Sequence, residues 1–161
     1  MIQPYAICEA LADELVGSSD ILDFCLQKLG RGCSIFLGVI ADQIPTSEQA
    51  PLIIIAPTES SEQGEVGEFT TATIEMLVGW PATGAAYEAE SVPSETTNGL
   101  TKVPAFEENE DFIEKIVAIL REVKIAEDTI CDSIRIEREY GLLWPMIVTT
   151  IRTTWKQTQA L

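Results

Sequence analysis

Near the start of the chain apolar residues recur every three or four positions. Tyr5, Cys8, Leu11, Ala12, Leu15 and Val16 draw one stripe on a helix that Gly17 can close. Ser18-Ser19-Asp20 then offers capping oxygens to a second helix, striped by Leu22, Cys25, Leu26 and Leu29 and stopped by Gly30. Beyond Arg31-Gly32 the period changes. Cys33 to Ile40 is short and apolar, and Leu52-Ile53-Ile54-Ile55-Ala56 is apolar at successive positions, the pattern of a central strand covered on both faces. From Phe69 to Trp80 the even positions Ala72, Ile74, Met76, Val78 and Trp80 are apolar while Thr71, Thr73 and Glu75 are polar, which predicts a strand with one buried face.

Pro81 to Pro104 is rich in turn formers and small polar residues and reads as a long excursion, with a short helical turn around Ala85 to Glu90. Tyr87, Val92, Leu100 and Val103 give it something apolar to bury. It is therefore either a surface loop or an arm that orders against another subunit. The strongest helix signal follows, from Ala105 to Lys124. Phe112, Ile116, Ile119 and Val123 form its stripe, Ile113, Val117 and Leu120 flank it, acids crowd its start and Arg121 and Lys124 lie near its finish, matching the helix dipole. Ile130, Ile134 and Ile136 alternate with Cys131, Ser133, Arg135 and Glu137 as a half-buried strand. A turn through Gly141 and Trp144 leads to a Thr-rich final strand, Met146 to Trp155, with Ile147, Ile151 and Trp155 on one face. The order ααβββ-loop-αββ predicts an α+β fold: a mainly antiparallel sheet with helices packed on one face. With 161 residues, one domain is expected over 1–161, with its loop or arm at about 81–104.

Charge narrows the function. Ten basic against 26 acidic residues leave −16, which repels nucleic-acid backbones and anionic lipid surfaces. Histidine is absent, and with it go the usual general base, zinc nitrogen ligand and Ser-His or Cys-His pairing. Gly30-Arg31-Gly32-Cys33 completes neither nucleotide-binding fingerprint, the run 107–111 lacks the glycine of a calcium loop, and the apolar stretches are far shorter than the roughly 20 residues of a membrane span. The amino terminus has no secretory pattern, so the four cysteines read as reduced, mostly core, thiols. No catalytic, cofactor or metal residue is expected. Trp80, Trp144 and Trp155 sit at strand ends, as core plugs or as interface anchors.

The acidic, Pro-bearing turn from Asp42 to Glu48, then Pro51-Leu52-Ile53-Ile54-Ile55, then Thr71 to Val78, then a late helix, resembles the tail terminator proteins of long-tailed phages, of the lambda minor tail protein U type. Ile134 to Glu139, Gly141-Leu142-Leu143-Trp144 and the strand to Trp155 are similar to that family's last hairpin, while Met1 to Leu29 and the 81–104 excursion are longer than its pattern. The resemblance implies a non-enzymatic virion protein of the tail's neck end, made in the host bacterial cytoplasm. It implies a homo-hexameric ring on the last ring of tail tube protein, which stops polymerisation and presents a surface to the head-tail connector protein, with DNA passing through the lumen without specific binding. The alternatives are a tail-tube or head-tail adaptor subunit on a related scaffold, or a small histidine-free cytosolic enzyme. Tyr87, Val92, Leu100, Arg135, Arg138, Trp144 and Arg152 are the expected contacts to a neighbouring subunit or the tube. With the acids lining the hole, such a ring would present DNA with a repulsive wall; on its outside they would serve solubility.

Overall fold

The structure, a computed structural model, describes residues 3–38, 45–63, 69–83, 92–143 and 146–158. Helices α1 (Pro4–Val16) and α2 (Ser19–Leu29) open the chain, as the periodicity predicts. Proline begins α1, where its missing N–H has no intrahelical partner to lose. The Ser18 hydroxyl accepts from the Ile21 N–H at 3.3 Å, and Gly30 closes α2 with φ +70°. Both stripes differ from the expectation. Helix α1 buries Ile7, Cys8, Leu11, Ala12 and Leu15 and leaves Tyr5 and Val16 exposed. Helix α2 buries Ile21, Phe24, Cys25 and Leu29 and turns Leu22 and Leu26 outward. Two overlapping helical stripes fit the α2 sequence, and the one containing the aromatic ring goes inside because it removes more apolar area from water.

Among the described residues seven strands follow: β1 (Ser34–Leu37), β2 (Leu52–Gln63), β3 (Phe69–Pro81), β4 (Glu95–Thr97), β5 (Leu100–Lys102), β6 (Thr129–Leu143) and β7 (Met146–Thr158). Helix α3 (Pro104–Glu122) lies between β5 and β6. The main sheet has the order β1-β2-β3-β7-β6, parallel only between β1 and β2. The fold is α+β, with all three helices on one face of a mainly antiparallel sheet and a separate β4–β5 hairpin. Strand β3, not β2, is the middle strand. The apolar run Leu52 to Ile55 is flanked by β1 and β3, but β1 ends there, and from Thr58 β2 is exposed, polar chain with no partner on its outer side among the described residues.

The even residues of β3 and the odd residues of β7 face the helices, as their alternation predicts. Trp80 and Trp155 are fully buried there. The Trp80 ring lies 5.0 Å from Phe112 and 5.6 Å from Phe24, tying the end of β3 to α3 and α2. Its indole N–H donates to Glu108 Oε2 at 3.2 Å, and that of Trp155 donates to Thr153 Oγ1 at 2.8 Å, so neither is buried without an acceptor. In β6 a register shift between Cys131 and Ser133 reverses the sides on which residues fall. Ile134 and Ile136 pack against the core, whereas Ile130 stands on the other face, 58% exposed. A strict two-residue alternation places all three together and misses the bulge.

Candidate functional site

With helices on one side only, the sheet keeps one open face, whose composition follows from the strand register. Its transverse rows run Ser34, Leu52, Gly79, Val148, Glu139; then Phe36, Ile54, Leu77, Thr150, Glu137; then Ala56, Glu75, Arg152, Arg135; then Glu59, Thr73, Thr154, Ser133; then Ser61, Thr71, Lys156, Ile130. The upper two rows are largely apolar. The rows below carry mostly hydroxyl groups and charges, with Ala56 and the exposed Ile130 as apolar exceptions, and the face is closed at its top, where Leu52 and Val148 are buried.

Arg152 Nη2 donates to Glu75 Oε2 at 2.9 Å, and Arg135 Nε forms an ion pair with Glu137 Oε1 at 3.0 Å. Arg135 and Arg152 occupy directly opposed positions, a like-charge pair that these two carboxylates offset. The Glu75 bond and charge push the Arg152 guanidinium further above its ordinary value. Four carboxylates (Glu59, Glu75, Glu137 and Glu139) thus share the face with three cations (Arg135, Arg152 and Lys156), a nearly balanced set. The negative charge is concentrated on the other side, where the three helices carry eleven acidic residues against three basic ones.

The basic residues near the chain's end therefore do not form one surface. Arg138 lies on the helix-bearing face and makes a two-pronged bond with Glu110 of α3, its Nη2 donating to Oε2 at 2.8 Å. That bond holds the Glu110 carboxyl below its ordinary value of 4.5. Of the other expected contacts, Val92 is half-buried against the core, and Leu100 stands 59% exposed on the β4–β5 hairpin. Tyr87 and Trp144, like the helical turn expected around Ala85 to Glu90, lie outside the described residues. The hairpin turns through Asn98 (φ +52°) and Gly99 (φ +80°), the left-handed pair that a two-residue turn requires, and residues 94–102 are exposed throughout.

Exposed sheet edges are expected as contact patches, but the sequence reading does not show which strands carry them, nor the groove beside one of them. Among the described residues, outer-edge backbone groups have no strand neighbour along β6 and along β2 beyond Ala56. A groove of about 730 Å³ also runs between the first residues of β6 (Thr129 to Ile134) and the end of α3 with its following turn, including Arg121, Val123 and Lys124. The polar stretch after Pro57 was the available signal for the first; the groove depends on tertiary register.

The cysteines offer no activated nucleophile. Burial pushes the Cys8 thiol up to about 11 and the Cys25 thiol up to about 12, and raises Cys33 and Cys131 as well, the opposite of the environment that makes a reactive thiolate. No protein-family model matches the chain, and no curated protein matches it.

Proposed function

We propose that this chain is a structural subunit that closes with copies of itself into a ring at the end of a phage tail tube, ends the tube's growth and offers its far side to the head connector. The supporting observation is the pairing of two unlike open edges on a one-sided sheet. A head-to-tail ring needs two different complementary patches on each subunit, and unpaired strand edges are ready-made ones. Strands β2, β3, β7 and β6 alternate in direction, so β6 and β2 run antiparallel to each other. The next copy's β2 placed beside β6 would continue that alternation.

In this reading the open face turns toward the lumen and the helices outward. A DNA duplex then meets a wall of hydroxyl groups and paired charges with little net field, and the acidic helices keep the assembly soluble from outside. Of the two placements of the acids weighed from the sequence, lining the hole or serving solubility outside, this reading takes the second. The exposed β4–β5 hairpin serves as the arm toward a neighbour or the tube.

Native mass spectrometry tests closure: a single species near six copies is expected, fibres would favour a tube subunit, and a monomer at every concentration would remove the ring. Adding the protein to growing tail tubes should shorten them in electron micrographs; folded protein that leaves tube length unchanged ends the terminator assignment.

A further inference from the structure

We propose that in the free protein the outer edge of β6 pairs with the same edge of a second copy, antiparallel and two-fold about Ile136. This goes beyond the ring reading and stands independently of it: it names what covers β6 before any ring closes. Strand β6 has β7 on one side and, among the described residues, no strand on the other. Its pairing with β7 is interrupted between Cys131 and Ser133 and again between Glu139 and Leu143, whereas Ser133 to Glu139 match Thr154 to Val148 one for one. Such interruptions twist an edge away from a further strand. The regular stretch Ser133 to Glu139 is therefore where a further strand can lie, and its midpoint is Ile136.

Charged side chains on a bare edge ordinarily deter pairing. Here the order Arg135-Ile136-Glu137 reverses that effect for one partner, a second copy. A two-fold contact sets residue i against j and j against i. Centred on Ile136, it places Arg135 opposite Glu137 of the second copy and Glu137 opposite its Arg135, both pairs on the open face, with no like charges opposed. Centring on Arg135, Glu137 or Arg138 would set that residue against its own copy. The Arg135 and Glu137 side chains, 72% and 42% exposed, are free to turn from each other toward a neighbour. On the helix-bearing face the half-buried Ile136 meets Ile136 of the second copy, and Ile134 meets the aliphatic stem of its Arg138, whose head Glu110 holds. The helices' excess of acids opposes any association, but at about 0.15 M salt it is screened beyond about 8 Å, while opposed pairs in contact are screened much less. The ring would use this same edge, so pair and ring exclude each other there. Mass action then makes the pair the dilute form and the ring the concentrated one.

Because the strand is its own partner, a charge swap tests the contact. Dimer dissociation constants are measured by sedimentation at 0.15 M salt. Arg135→Glu alone and Glu137→Arg alone each turn both cross-copy pairs into repulsions and should weaken the dimer about tenfold or more, with unchanged circular dichroism spectra. Both substitutions together restore opposite charges across the axis and should return the constant to within about threefold of the parent. Single variants that dimerise as well as the parent, or a double variant as weak as the singles, would overturn the proposal. The register is read separately: Ile136→Cys lies on the axis and should give a covalent dimer and nothing larger on a non-reducing gel after oxidation with copper phenanthroline. The unsubstituted protein and Ile134→Cys should give none; a dimer from Ile134→Cys in place of Ile136→Cys would overturn the centring on Ile136. Rings that fall directly to monomers on dilution would overturn the pair and leave the ring reading standing, whereas dimers without rings at any concentration would support the pair and count against the ring.

Discussion

Asn109 of α3 is 1% exposed and makes one side-chain hydrogen bond, its Nδ2 donating to Thr149 Oγ1 of β7 at 3.2 Å; its Oδ1 has no partner among the described residues. A neutral hydrogen bond contributes about 0.5–1.5 kcal/mol net, whereas a buried polar group left unpaired costs about 1–3 kcal/mol. The pair is therefore close to breaking even. Thr149→Val strips the amide of its remaining partner and should destabilise by about 2 kcal/mol. Asn109→Leu removes the orphaned carbonyl but leaves the Thr149 hydroxyl alone, so stability should stay within about 1 kcal/mol of the parent. The double substitution removes both ends at nearly constant volume and should stabilise by about 1 kcal/mol, raising Tm by about 2–4 °C for a chain of this size. Urea titrations followed by circular dichroism on all four proteins close the double-mutant cycle. A double variant less stable than the parent by more than about 1 kcal/mol refutes the reasoning, because it would mean that Oδ1 is satisfied and the pair is a net stabiliser.

Phe112→Ala empties a fully buried site touching both Trp80 and Phe24 and should cost about 4 kcal/mol by the same titration; a loss under about 2 kcal/mol would show that the aromatic cluster can collapse around the gap. Glu110 has its folded pKa lowered by Arg138, so its contribution is present above the ordinary value of 4.5 and fades as pH falls through the lowered one. Glu110→Gln should therefore lose about 0.5 kcal/mol at neutral pH, as exposed pairs do, and equal the parent in strong acid; a difference that does not change with pH contradicts this. Native Cys25 should react with a disulfide reagent at pH 8 only as fast as the chain unfolds, since it is fully buried and its thiol is held up near 12; rapid labelling without denaturant would contradict that burial. Leu100→Asp on the exposed hairpin should leave urea stability within about 0.5 kcal/mol while lowering ring abundance in native mass spectra, and an unchanged spectrum would remove the arm from assembly.

The features legible in the sequence were those carried by local period. Helix α3 and the alternation of β3 and β7 could be read because each side chain's environment depends on neighbours two to four positions away. Position in the sheet is not local. The run Leu52 to Ile55 looks central because two strands flank it, yet β1 stops after four residues and no periodicity within β2 reports that. Ile130 misled for a related reason: a single bulge displaces every later residue by one face, and the bulge leaves no mark in composition. For the candidate contacts, Arg135, Arg138 and Arg152 could be found as a basic cluster, but their division between two faces follows only from the strand register. Arg121 and Lys124 read as the cationic end of a helix; that they also overlook an unpaired strand edge requires β6 to be in place.

The shortness of β1 has a mechanical consequence. Its last rung is the Gly38 N–H to the Ile55 carbonyl at 2.8 Å, and Gly38, at φ +72°, bends the backbone there into a conformation that other residues resist. A strand laid along the outside of β2 would meet β1 at that step, as a bolt meets a shoulder machined into its track. Four residues would thereby fix how far two molecules can slide past each other, and every joint around a closed circle would inherit the same offset.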